Sequence, residues 1–112
     1  MAPLTPPTLG EFELLVLLAV MQLGDEAYPL AVAEAIESST KRSASRPAVL
    51  ITLTRLEEKG LLTSRYGDPT PVRGGRSKRL FSPRPLGIQA AKQALERIRA
   101  MAAGLDPLLD PK

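Results

Sequence analysis

The chain reads as a mainly α-helical protein with a small β-hairpin. Apolar residues recur at helical spacing in three segments before Gly60, and between Gly60 and Pro85 the pattern shortens to two strand-like runs around a glycine- and proline-rich stretch. After Pro85 apolar residues return at heptad steps, which adds one more long helix. At 112 residues the chain is one unit with a single core. It has no histidine and no cysteine. Thiol catalysis, histidine acid–base chemistry and nearly every zinc, haem or iron–sulfur site are thereby excluded, and no metal or other cofactor is expected.

Each element has a local cause. Residues 1–8, with three prolines, make a flexible N-terminal arm. Thr8 and Glu11 have the spacing of a capping box, which starts a helix over about residues 9–22 that stops at Gly24. From Leu14 to Met21 this helix is apolar on every face, so the domain core is expected to cover one side and a second protomer the other. Eight apolar residues are too few for a membrane span of about 20. With no Lys or Arg before Lys41, the segment is not a secretory leader either, and a cytoplasmic protein without a membrane partner is expected.

Pro29 suits the first turn of a second helix reaching about Ser39, with Tyr28, Val32, Ala35 and Ile36 on one stripe. Ser45 is a good N-cap for a third helix from Arg46 to Lys59, closed by Gly60. Val49, Leu53 and Leu56 form its inward stripe, and Ala48, Ile51, Thr52 and Arg55 are assigned to the outward one. Strands are expected over residues 61–66 and 77–82, ending before Pro83, which cannot donate to a ladder. The fourth helix carries Ile88, Ala91, Leu95, Ile98, Ala102 and Leu105 at alternating steps of three and four, a seam suited to a partner helix. Residues 106–112 read as a tail.

The net charge of +3 conceals a division: −6 over residues 1–40, +8 over 41–84 and +1 over 85–112. Charge alone fits either a solvated basic surface or a polyanion site. The order of elements decides between them. Three helices followed by a basic hairpin are the arrangement of a winged helix-turn-helix, whose third helix enters the major groove while the hairpin meets phosphate or the minor groove. Residues 9–84 are assigned to this domain, and residues 85–105 to a C-terminal dimerisation helix.

The candidate DNA-binding residues are Lys41, Arg42, Ser45, Arg46, Ala48, Ile51, Thr52, Arg55, Arg73, Arg76, Lys78 and Arg79. Arg46 is suited to base edges, Ser45 and Thr52 to base edges or phosphate, and Ile51 or Ala48 to a thymine methyl, with packing against the wing the other reading of Ile51. Arg42, Lys78 and Arg79 suit phosphate; Arg55 suits phosphate or an ion pair with Glu58. Catalysis is not expected: the adjacent pairs Asp25-Glu26 and Glu57-Glu58 do not converge on one substrate, and Gly74-Gly75 lacks the context of a phosphate-binding loop.

Four motifs resemble the PadR family of bacterial transcriptional regulators: LGEFELLVLLAV from Leu9, Ala27-Tyr28, TLTRLEEKGLL at 52–62 and DPTPVRGGRSKR at 68–79. The resemblance runs from about Leu9 to Leu105. It implies a homodimeric winged-helix repressor on a pseudo-palindromic operator in double-stranded DNA. Dimerisation would use the C-terminal helix, aided by Phe12 and Leu15 of the first helix. Leu50 stands where the family usually has a tyrosine. The chain has no tryptophan, so drug binding between tryptophans, known in some members, is not implied and no small-molecule effector is assigned. The alternative is a winged-helix protein-interaction module that does not bind DNA.

Overall fold

The computed structural model describes residues 5–67 and 78–110. Its order is α1 (Glu11–Leu23), a short 3-10 turn (Gly24–Glu26), α2 (Pro29–Thr40), α3 (Arg46–Glu58), β1 (Leu62–Tyr66), β2 (Arg79–Pro83), α4 (Pro85–Ala102) and α5 (Asp106–Leu109).

The N-cap of α1 is Gly10, whose amide donates to Glu13 Oε1 at 3.0 Å. The box expected at Thr8 and Glu11 forms two residues later, at Gly10 and Glu13, since the first helical hydrogen bond runs from the Leu14 amide to Gly10 O at 3.0 Å; Glu11 pairs instead with Arg42 at 2.7 Å. α1 is the hub of the fold: it packs against α2, α3, β2 and α4. Leu14, Val16, Leu17, Ala19 and Val20 are buried by these neighbours, and Leu15 and Leu18 are half-buried. The all-round apolarity of α1 is thus met largely inside one chain, which corrects the expectation that one whole side awaits a second protomer.

Between α2 and α3 the chain reverses at Lys41, which takes a left-handed φ of 63° and donates its amide to Glu37 O at 2.9 Å. Thr40 Oγ1 secures the turn by donating to Ile36 O and accepting from the Arg42 amide at 3.1 Å. Ser45 caps α3 as expected, its Oγ accepting from the Ala48 amide at 3.2 Å. The other end of α3 is a Schellman motif, with Gly60 at φ 80° and the amides of Gly60 and Leu61 donating to Glu57 O and Leu56 O.

β1 and β2 form one antiparallel pair with Leu62 opposite Pro83, Ser64 opposite Phe81 and Tyr66 opposite Arg79. Pro83 therefore stays in the ladder, contrary to the expected end at Ser82, and the amide it lacks is replaced one residue later by Arg84 donating to Leu61 O at 2.9 Å. The expected strand start at Ser77 lies outside the described residues. The Phe81 amide donates to Ala27 O at 2.8 Å, so the α1–α2 turn braces the outer edge of β2. Leu61, Leu62 and Phe81 are buried with Val49, Leu53 and Leu56 of α3, which seats the hairpin against that helix.

α4 packs on α1 and on the start of the hairpin: Gly87, Ala90 and Ala91 are all buried, with Ala94 half-buried, and Gly87 lies against the Leu61 backbone. This corrects one position of the heptad seam: Ala91 is 1% exposed and belongs to the chain's own core. The same stripe then continues past the edge of the core as Ile98 (56% exposed) and Met101 (81%). Leu105 lies beyond the end of α4, and residues 106–109 form a helical turn where a tail was expected.

Candidate nucleic-acid interface

The exposed face of α3 follows from its buried one. Val49, Leu53 and Leu56 lie inward as the sequence predicts, and Thr52 joins them at 7% exposure. Thr52 stands three residues after Val49 and four before Leu56, so at 100° per residue it lies over the core stripe. It is therefore removed from the base-reading set. The outer face is made by Pro47, Leu50, Ile51, Arg55 and Glu58, all exposed, with Thr54 half-buried beside them. Leu50 (41% exposed) and Thr54 extend this face: Thr54 falls near the direction opposite Val49, Leu53 and Leu56, whereas Leu50 falls about 90° from it, at the border of the core stripe beside Leu53.

Ile51, at 59% exposure, is the most prominent apolar group on this face. Arg46 projects from the first turn into a cavity of about 380 Å3, shared with Tyr28, Pro29, Leu50, Tyr66, Lys78 and Arg79. Lys78 Nζ sits 4.1 Å above the Tyr28 ring, which places this ammonium at the junction of α2, α3 and the hairpin. Ala48 is half-buried and borders a shallow hollow with Phe12, Arg42 and Ser45. Arg73 and Arg76 lie outside the described residues.

The expected phosphate contacts divide into two groups. Lys41 and Arg55 are exposed, and neither is in an ion pair among the described residues. Arg42 and Arg79 are engaged within the chain. Arg42 pairs with Glu11 at 2.7 Å and lies 4.9 Å from the Phe12 ring centroid; the pair is exposed, so phosphate can displace it at little cost. Arg79 is more firmly held. Its Nη2 donates to Glu57 Oε1 at 2.7 Å and its Nε to Ser64 Oγ at 3.2 Å, and the guanidinium lies 4.9 Å from the Phe81 ring centroid.

A third pair, Lys59 with Glu13, ties the end of α3 to the start of α1. Burial pushes the Glu13 carboxyl up, but the hydrogen bonds from Lys59 and the Gly10 amide, with the positive charges of Lys59 and Arg55, outweigh it and hold this group below its ordinary range. Among the described residues no His, Cys, Asp or Glu cluster could hold a metal ion, and no helix is long and apolar enough to cross a membrane.

No family profile and no curated protein matches the chain. Solved structures do. A PadR family transcription regulator from Clostridium difficile aligns over 89% of this chain and 99% of its own, with a TM-score of 0.72 at 19% identity. A transcriptional regulator from Clostridium thermocellum gives 0.67 at 22% identity, covering 80% of this chain and 84% of its own. A PadR-like transcriptional regulator from Bacillus cereus also gives 0.67, at 13% identity over 90% and 93%. Likenesses at this identity speak to architecture: the chain has the winged-helix fold of the PadR-like regulators.

Proposed function

We propose that the protein is a dimeric, sequence-specific DNA-binding regulator of transcription that acts as a repressor. The observation that carries this reading is the exposed face of α3: Arg46 at its start, Leu50 and Ile51 at its centre and Arg55 farther along, with Lys41 before it and Lys78 beside it on the hairpin. Cations at the rim with apolar groups between them suit a major groove, where Arg46 addresses guanine and Ile51 a thymine methyl, while Lys41, Arg55 and Lys78 meet phosphate. The transcription regulators of the same fold support the reading by analogy.

The second protomer is proposed to cover the part of α4 that leaves the core, through Leu95, Ile98, Ala102 and Leu105, with Ile88, Phe12 and Leu15 at the margin. Exposed Ile98, Met101, Leu108 and Leu109 on one end of a small domain support this. A groove of about 260 Å3 between the start of α1 and α4, lined by Leu9, Leu14, Ala94 and Ile98, adjoins the same stripe. Leu50 favours a second reading, a module that docks an acidic protein: it gives the Arg46 cavity an apolar wall suited to a side chain of such a partner.

Selection of bound sequences from a random DNA pool by the purified protein tests both. The expected outcome is a pseudo-palindrome with half-sites about 34 Å apart, or a multiple of that. With about four phosphates neutralised per protomer, log K against log salt should slope near −7. No enrichment, together with recovery of one stoichiometric protein partner, would favour the second reading.

A further inference from the structure

We propose that Glu57 is a positioning residue for the wing, holding the distal end of the hairpin at a set angle to α3 and so raising affinity for DNA that it does not touch. This rests on the DNA-binding reading above. Glu57 lies in the last turn of α3, and both carboxylate oxygens accept from Ser64 Oγ of β1, at 3.0 and 2.8 Å. Oε1 also accepts from Arg79 Nη2 of β2 at 2.7 Å, and Arg79 Nε reaches Ser64 Oγ at 3.2 Å. Three elements thus meet in one closed set of hydrogen bonds.

Its place in the hairpin gives it leverage. Arg79 is paired with Tyr66 at the end of the ladder nearest the wing tip, where the sequence carries Arg73 and Arg76. Phe81, buried at 1% exposure, lies under the guanidinium, so Arg79 is held by a carboxylate, a hydroxyl and a ring together. The side chains of Arg79 and Glu57 are 31% and 29% exposed, against 80% for Glu11 in the loose Arg42 pair. A charge pair less exposed than Glu11, with the one hydroxyl hydrogen of Ser64 shared between the two carboxylate oxygens, holds its partners more firmly than the Arg42 pair does.

Electrostatics and geometry assign Glu57 opposite signs. As a bare negative charge on a face that meets phosphate, it should weaken binding, and its neutralisation should strengthen it. As a brace it should do the reverse. The test is Glu57→Gln in the full chain, with affinity read on a mixed-sequence duplex of about 30 bp at about 50 mM salt, where backbone contacts dominate. Affinity should fall roughly tenfold and the salt slope should shrink by about 1 to 2, as wing contacts to phosphate are lost.

Amide exchange in β1 and β2 should speed up while α1 is unchanged, which separates loss of the brace from general unfolding. Ser64→Ala, which removes the hydroxyl linking Glu57 to β1 with no change of charge, should lower the affinity in the same direction. Equal or tighter binding by Glu57→Gln, or hairpin exchange at the original rate, overturns the proposal. If the unaltered chain fails to bind the duplex, the DNA reading falls; faster hairpin exchange in the variant would still uphold the brace itself.

Discussion

Gly87→Ala separates local helix preference from tertiary packing, because the two forecast opposite signs. Gly87 is the third residue of α4 and its φ is not in the left-handed region, so propensity alone makes alanine stabilising by about 0.5 to 1 kcal/mol. A methyl at this position, however, overlaps the Leu61 carbonyl oxygen and lies 3.0 Å from its carbonyl carbon. That oxygen cannot yield easily, since it already accepts from the Arg84 amide at 2.9 Å. Moving α4 away far enough to relieve the overlap is an overpacking strain of about 2 kcal/mol, within the usual range for an inserted methyl in a tight contact. It also weakens the Arg84 hydrogen bond, for about 1 kcal/mol more.

After the propensity gain is subtracted, the net loss is about 2 kcal/mol, and a domain of this size should melt roughly 8 °C lower. Thermal unfolding followed by far-ultraviolet circular dichroism, at one protein concentration because of the proposed dimer, measures it. Gln89→Ala on the exposed side of the same helix is the control and should shift the midpoint by about 2 °C or less. A Gly87→Ala midpoint equal to or above that of the parent would refute the claim that close backbone packing places α4.

Other outcomes are specific to single residues. Glu13→Gln should lower the melting temperature at neutral pH and converge with the parent in acid: a carboxyl with a depressed folded pKa stabilises the protein above its unfolded value and loses that contribution as pH falls below roughly 4. A constant difference from pH 7 to 2 would contradict this. Ser45→Ala should cost about 1 kcal/mol of stability in denaturant unfolding, by removing the cap on the Ala48 amide. Ile98→Glu should turn the proposed dimer into a monomer in sedimentation equilibrium without lowering helix content, since Ile98 is already exposed within one chain. Arg46→Ala should relax base preference at one position of each half-site by about 1 to 3 kcal/mol, whereas Lys78→Ala should weaken all sequences alike and reduce the salt slope by about 1.

The elements themselves were legible because their causes are local. Ser45 caps α3 through an amide three residues away, Gly60 closes the same helix over carbonyls three and four residues back, and Pro29 sits in a first turn; all act within a span the sequence displays. The same holds for the inward stripe of α3, read from Val49, Leu53 and Leu56, and for the hairpin, read from a change of period. Thr52 is polar yet buried, because its helical angle beside Val49 and Leu56 outweighs the polarity of its hydroxyl.

Local spacing is silent about partners far along the chain, and those partners decide what the basic residues do. Arg79 and Glu57 are 22 residues apart, Arg42 and Glu11 31, and Lys59 and Glu13 46, so composition counts these cations alike while tertiary contact divides them into held and exposed. Likewise an apolar α1 signals only that it must be covered, and an alanine at a heptad step signals only a small face. It took the packing of α2, α3, β2 and α4 around one helix to show that the chain covers most of α1 itself, that Ala91 faces inward, and that Ile88 at one end of α4 and Ile98 toward the other are left exposed. Helix caps and turns are set by neighbours in sequence; burial, cross-element hydrogen bonds and charge pairing are set by neighbours in space.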